Sequence, residues 1–414
     1  MTTSGRGVLA TVLASQALRG LGYGLAAVQL GAVLRGQGLD APAVGLVLAA
    51  IVAGSAAASL ALGRWGDRLG RARSYGLLYG ALATAGLLIA AGAPAWLLAL
   101  VALTGALSTE VVESGPFTTL EQVMLASTGA RQPQLVRGFG VYNAVATLAG
   151  AAGALLGTLP ADRRLLGGTL IVVGMAGALL ATRLPKRVEA PAAERVGPRR
   201  ALAASRRPVL RLAGLFAVDS LAGGFVVQAW IAYWLGLRYG APTSVVGVVF
   251  AAIGLLQAAS FLAAPAIANR VGLLPTMVFT HLPSNLLLAA IPLASSLPVA
   301  VGLLLARTCL SQMDVPTRQA YVMALVPPAE RTAAAAVTNT ARYVTRPVGP
   351  ALAGLLQPLG LGIPFLVAGV VKSAYDLALW RLFRPVQLPA DTAAITGGAS
   401  GSGSPAPGRR TDGA

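Results

Sequence analysis

The stretch Gly63-Arg64-Trp65-Gly66-Asp67-Arg68-Leu69-Gly70-Arg71-Ala72-Arg73 separates two apolar runs, 44–62 and 74–91. Each run approaches the roughly 20 residues that a helix needs to cross a bilayer core. A short turn carrying Arg64, Arg68, Arg71 and Arg73 belongs on the cytoplasmic side, where basic residues accumulate between spans. Its glycines permit a sharp reversal that bulkier residues resist. The reading is therefore helix, tight basic turn, helix.

Composition extends this reading to the whole chain. Of 414 residues, 56% are hydrophobic and 11% charged, and the mean hydropathy is +0.71. Soluble domains carry about 25% charged residues, so long apolar stretches joined by short basic turns indicate a polytopic membrane protein. The net charge of +18 comes from arginine, since only Lys186 and Lys372 are lysines. Because these arginines sit between apolar segments, they read as orientation signals and no nucleic-acid partner is expected. One cysteine, Cys309, and one histidine, His281, cannot form an intrachain disulfide or a zinc cluster. No metal or cofactor is expected. The first apolar segment is too long for a cleaved signal and reads as the first span.

Twelve spans are expected near 8–34, 43–62, 74–91, 95–126, 138–159 and 165–184, then 212–235, 245–268, 274–294, 298–312 with an extension past Pro316, 333–356 and 363–383. The fourth is interrupted near Gly115-Pro116, and Pro316 is expected to break the tenth. Residues 1–184 and 209–385 form two six-helix halves. Residues 185–208 form a cytoplasmic linker, and 386–414 a disordered tail rich in Gly, Ser, Ala and Pro. Around the linker, Arg183, Lys186, Arg187, Arg195, Arg199, Arg200, Arg206, Arg207 and Arg211 face only Glu189 and Glu194, which places both termini in the cytoplasm.

A shift of 202 positions aligns Val44-Gly45-Leu46-Val47 with Val246-Gly247-Val248-Val249. It also aligns Asp67-Arg68-Leu69-Gly70 with Asn269-Arg270-Val271-Gly272, and Gly22-Tyr23 with Gly224-Phe225. The chain is an internal repeat.

With Gly63, Asp67, Arg68, Gly70 and Arg71 in place, the opening stretch resembles the loop signature between helices 2 and 3 of the major facilitator superfamily. Ala72 stands where a second basic residue is usual, with Arg73 one place on, and Trp65 replaces a usual aliphatic residue. Asn269, Arg270 and Gly272 are its counterparts in the second half. The resemblance covers 8–385 and implies an all-α fold of twelve transmembrane helices in two pseudo-symmetric halves, with the substrate site between them near the midplane.

In this superfamily the first, fourth, seventh and tenth helices line the cavity. The resemblance thus points to Arg19, Glu110, Glu113, Asp219, Arg307, Asp314 and Arg318 for substrate binding or proton coupling. Ionisable groups at bilayer depth are costly and usually functional. Glu110 and Glu113 are three apart and, on a helix, would share a face. Arg307, Asp314 and Arg318 fall on one stripe if their helix is continuous. Lys372 and Asp376, four apart on a peripheral helix, are expected to neutralise each other. Arg342 and Arg346 read as snorkelling anchors. Tyr23, Gln29, Asn143, Gln228, Trp230, Gln257, His281 and Asn285 are candidate hydrogen-bonding groups, His281 with a relay as one reading. Gly150, Gly153 and Gly157 permit close helix contact. The Gly-Pro signature of drug antiporters in that helix is replaced by Gly153-Ala154, while Gly349-Pro350 lies in the eleventh helix.

The implied activity is secondary transport of a small organic solute by alternating access in a cytoplasmic (inner) membrane, monomeric, with protons and membrane lipid as partners and efflux as the direction. No phosphate-binding loop is present to couple ATP, and no nucleophile is paired with a base as in an enzyme. An uptake carrier for an organic anion and a non-transporting receptor or scaffold are the rival readings.

Overall fold

The computed structural model describes residues 3–36, 38, 41–109, 111–112, 115–157, 159–160, 162–189, 202–386 and 388. Sixteen α-helices lie among them: α1 (Thr3–Gly36), α2 (Ala41–Leu69), α3 (Arg71–Ala91), α4 (Ala95–Ala102), α5 (Pro116–Ala126), α6 (Gln132–Leu156), α7 (Arg163–Thr182), α8 (Arg206–Gly224), α9 (Gln228–Tyr239), α10 (Thr243–Val271), α11 (Leu273–Ala290), α12 (Leu297–Ser311), α13 (Asp314–Leu325), α14 (Arg331–Thr345), α15 (Val348–Leu356) and α16 (Ile363–Phe383). They make twelve spans, because α4/α5, α8/α9, α12/α13 and α14/α15 are each one span broken near its middle. Six of the unbroken helices are long and apolar enough by themselves to cross a bilayer. The all-α, two-half architecture expected from the sequence is what the chain adopts. The central part of the linker, 190–201, and the tail from 389 lie outside the described residues.

The opening stretch needs correction. Residues 63–69 are not a turn but the last two turns of α2, and the reversal is made by Gly70 alone, at φ 90°. Gly272 repeats it at φ 92° between α10 and α11, 202 positions later. An L side chain is strained in that region. Gly63 does a different job: a Cβ there would lie 2.5 Å from Ala336 Cβ of α14, so α2 and α14 approach closely because Gly63 has none.

The helix breaks also fall differently. Gln312-Met313 interrupts the tenth span, and Pro316 sits in the first turn of α13, where its missing N–H costs nothing. Arg307 and Asp314 are therefore on different helices, not one stripe. Phe225–Val227 interrupts the seventh span and Arg346-Pro347 the eleventh, breaks the sequence reading did not place.

Glycine sets the tightest crossings within each half. A Cβ on Gly24 of α1 would meet Gly150 O of α6 at 2.0 Å, and one on Gly349 would meet Gly224 Cα at 2.4 Å. These two crossings, first span on fifth and seventh on eleventh, are related by the repeat.

Between the halves, α6 packs on α10 and α13, and α14 packs on α2 and α5. At the end carrying the Gly70 and Gly272 turns, here called the basic end, the halves are shut. All eleven residues of α5 are buried, and every residue of α13 except Ala324. Two amide clasps cross the seam. Asn143 Nδ2 donates to Gln319 Oε1 at 2.8 Å, and Asn339 Nδ2 donates to Gln122 Oε1 at 3.4 Å. Asn143 and Gln122 of one half correspond to Asn339 and Gln319 of the other under nearly the same shift, so the clasps are pseudo-two-fold mates. Asp67 Oδ1 accepts from Thr332 Oγ1 at 3.0 Å, and Arg331 Nη1 donates to Ala126 O at 3.3 Å.

Carboxylates cap the backbone at this end. Glu189 accepts from Arg71 N at 2.6 Å and Ala72 N at 3.0 Å, at the positive end of α3. Glu330 accepts from Ala203 N, Ala204 N and Ser205 N at 2.9, 2.8 and 3.0 Å. Burial alone would push the Glu330 carboxyl up, but these amides and Ser205 outweigh it and hold the group below the usual carboxylate range. This stabilisation is complete above the unfolded value of about 4.3 and is lost as pH falls through the lower folded value. Glu330→Gln should thus lower stability by roughly 1–3 kcal/mol at neutral pH, and the gap from the parent protein should close on acidification. Thermal melts in detergent across that pH range measure it.

Candidate functional site

A cavity of about 10 Å³, room for about one water, lies on the seam, lined by Gly115 and Thr118 of one half and Asn339, Arg342 and Tyr343 of the other. Ser108 and Tyr343 hydroxyls meet across the seam at 3.5 Å. A separate recess of about 280 Å³ at the opposite end, lined by Trp234, Arg238, Pro292, Leu361 and Gly362, belongs to the second half alone.

Each half holds a charge cluster, and Arg342 of the second lines this cavity. In the first, Arg19 of α1 and Glu121 of α5 are both fully buried. Their contact is bidentate, with Nη1–Oε1 at 2.7 Å and Nη2–Oε2 at 2.6 Å, the fork geometry that makes arginine–carboxylate pairs strong. Tyr142 donates to Glu121 Oε2 at 2.6 Å, and Tyr75 donates to Oε1. Tyr79 accepts from Arg19 Nη1 at 3.0 Å and donates to Ser15 O at 3.0 Å, while Gln16 accepts from Nη2. The guanidinium stacks on Phe117, 4.5 Å from its centroid. Four spans converge on one ion pair.

The second cluster centres on Asp219 of α8. Arg342 of α14 donates to its Oδ2 at 2.8 Å, and Lys372 of α16 donates to Oδ1. His281 of α11 stands between two carboxylates: Nδ1 is 2.9 Å from Asp376 Oδ1, and Nε2 is 3.9 Å from Asp219 Oδ1. Asn285 donates to Asp376 Oδ2 at 2.8 Å. Arg318 and Asp314, paired at 2.7 Å, complete the group, and Phe216 lies under both Arg318 and Arg342.

The residues singled out in sequence thus separate. Arg19 belongs to the first cluster; Asp219, Asp314 and Arg318 belong to the second. Arg307 is half-buried on α12, and its Nε has no hydrogen-bond partner among the described residues. Glu110 and Glu113 lie outside the described residues. Lys372 and Asp376 do not neutralise each other, because Lys372 turns to Asp219 and Asp376 to His281. Arg342 is no peripheral anchor, since it holds Asp219 and lines the seam. Of the candidate hydrogen-bonding groups, Tyr23 donates to Ala106 O and Gln29 to Leu159 O, both within the first half. Glu121 was missed, though a carboxylate inside the apolar run after Pro116 is itself a signal.

The sequence profile described as Major Facilitator Superfamily matches residues 12–350. The chain belongs to the major facilitator superfamily. It is 26% identical over 419 aligned positions to the uncharacterised membrane protein YJR124C of Saccharomyces cerevisiae, with 89% of this chain and 92% of the yeast protein covered. The crystal structure of the human organic anion transporter MFSD10 (TETRAN) superposes with a TM-score of 0.74 at 17% identity, covering 91% of this chain and 99% of that one. A bacterial homologue of the iron transporter ferroportin, in its outward-facing state, gives 0.70 at 16%, covering 90% and 98%. The proton:xylose symporter XylE gives 0.69 at 15%, covering 94% and 98%. These structural likenesses show the fold, and with the family they make this a multi-pass membrane transporter of the superfamily. The signature residues Asp67 and Arg71 pair at 2.7 Å, with Arg71 also donating to Val188 O at 3.1 Å.

Removing one member of a buried ion pair leaves the other uncompensated, at a cost of about 3–5 kcal/mol. Glu121→Gln should therefore unfold well below the parent protein, and Arg19→Met with Glu121→Met should recover most of the loss. A double variant no more stable than either single one would mean the pair does more than balance its own charge. Thermal melts of purified Glu121→Gln, Arg19→Met and the double variant decide.

Proposed function

We propose that this protein is a secondary active transporter of a small organic anion, coupled to protons, in which the two halves rock about the seam. The single observation that carries the proposal is the Asp219 cluster, a set of ionisable groups that ends on Arg342 at a cavity between the halves. A cation on the wall of a seam cavity suits a carboxylate or sulfonate cargo, and the cargo printed for the human structural neighbour, an organic anion, is consistent with it. The arginines of the basic end support a cytoplasmic position for it. The chain is then an inner-membrane protein, working as a monomer, in a state closed to the cytoplasm. Export against entering protons is the direction that the family resemblance implies.

Coupling requires the cargo and the proton to act on one group of charges, and Asp219 is the residue shared by Arg342, Lys372 and His281. The test is fluorescein, as a probe anion, moved by the purified protein in liposomes. A pH gradient should accelerate its movement several-fold, and Asp219→Asn should remove the acceleration. Gradient-independent leakage equal to that of empty liposomes would contradict the reading.

A further inference from the structure

Five arginines gather where α8 and α16 reach the basic end. Arg206, Arg207 and Arg211 lie on the first turns of α8, Arg381 on the last turn of α16, and Arg384 just beyond it. The two helices pack on each other, and Val209 and Leu212 of one share a buried cluster with Leu379 and Phe383 of the other. All five arginines are exposed, and none has a hydrogen-bonding or ionic partner among the described residues. The carboxylates on these helices, Asp219 and Asp376, are buried and engaged deeper in the protein.

The contact of Lys372 with Asp219 sets the heights. Arg211 and Arg207 are eight and twelve residues from Asp219 along α8, and Arg381 and Arg384 are nine and twelve from Lys372 along α16. At about 1.5 Å of rise per residue, these four arginines form two layers, about 12–14 Å and about 18 Å from that contact. Asp219 lies near the middle of its span, shortly before the break at Phe225–Val227, and half of a hydrocarbon core is about 15 Å. The layers therefore flank the level where apolar chains give way to headgroups. Towards the bilayer centre the same helices expose Val218, Val370 and Leu377, and a Cβ on Gly214 would meet no atom within 4 Å.

Orientation needs basic residues at this end, but not on this pair of helices. Under the shift of 202, the five positions fall on Ser4, Gly5 and Leu9 of α1 and on Leu179 and Thr182 of α7. Those helices pack together in the first half as α8 and α16 do in the second. Their ends carry Arg6 and, one residue past α7, Arg183. The fold thus presents this surface at the basic end twice and concentrates arginine on one copy.

We infer that α8 and α16 form, at the basic end, a binding site for an anionic phospholipid of the adjoining leaflet. Its phosphate sits among Arg207, Arg211, Arg381 and Arg384, and an acyl chain runs over Gly214 and Val218 towards the bilayer centre. Guanidinium forks match phosphate oxygens. A zwitterionic headgroup suits the site less, because its ammonium meets no free carboxylate there among the described residues. The inference stands apart from the transport reading and holds whatever the cargo.

Native mass spectrometry of the purified full chain, titrated in detergent with phosphatidylglycerol or phosphatidylcholine, tests it. The parent should bind phosphatidylglycerol about 10-fold or more tightly than phosphatidylcholine. Arg211→Gln with Arg381→Gln should remove most of that preference. Arg6→Gln with Arg183→Gln, an equal loss of charge on the matching surface, should keep it. Equal binding of both lipids by the parent, or equal losses in the two double variants, would overturn the site and leave the arginines as orientation signals. So would a preference that survives Arg211→Gln with Arg381→Gln. Thermal melts in micelles containing phosphatidylcholine establish that each variant is folded. If a double variant is not, the single substitutions carry the same comparison.

Discussion

Charge sunk to bilayer depth has to be matched where it lies, and among the described residues the matches close inside one half or the other. Arg19 and Glu121 close within the first half. Asp219 with Arg342 and Lys372, His281 with Asp376, and Arg318 with Asp314 close within the second. An unmatched ion in such surroundings costs several kcal/mol, so these contacts hold each half together as a body. They also explain why so many spans converge on so few side chains: α1, α3, α5 and α6 on one guanidinium–carboxylate pair, and α8, α11, α14 and α16 on Asp219 and its neighbours.

The seam between the halves is built from weaker material. At bilayer depth the contacts across it include neutral amide and hydroxyl hydrogen bonds: Asn143 to Gln319, Asn339 to Gln122, and Ser108 to Tyr343. Each is worth about 0.5–1.5 kcal/mol net and leaves no bare charge when it breaks. Among the described residues the ion pairs close inside the halves, and the seam is crossed by hydrogen bonds, of which Thr332 to Asp67 and Arg331 to Ala126 O at the basic end involve a charged group. The repeat relates the two clasps, which differ in length: 2.8 Å for Asn143–Gln319 and 3.4 Å for Asn339–Gln122. Glycine at the first-on-fifth and seventh-on-eleventh crossings keeps the helices of each half close enough to move as one.

The architecture was legible because its signals are local or periodic. Apolar length gave the spans, and the shift of 202 gave the halves. The aligned Gly70 and Gly272 gave the two tight reversals, both at positive φ. What could not be read was which charge meets which. Glu121 lies 102 positions from Arg19, and Lys372 lies 153 from Asp219, so a pairing rule based on spacing matched Lys372 to Asp376 instead. The same rule placed Arg307 with Asp314, where a two-residue break parts their helices. The polar stretch 63–69 reads as a turn because it leaves the apolar pattern. It stays helical because Gly63 and Asp67 are satisfied by α14, a contact made 265 positions away.

The central claim is that two intact bodies move about a seam held by hydrogen bonds, and distances between spin labels in lipid test it most directly. One pair, at Leu69 and Val271, spans the seam from exposed positions at the ends of α2 and α10. A second pair, at Leu69 and Thr182, stays within the first half, and Thr182 is also exposed. The account predicts two populations for Leu69–Val271 and one unchanged distance for Leu69–Thr182 as pH and fluorescein are varied. A within-half distance that changes together with the seam distance, or a seam distance that is single under every condition, would contradict it.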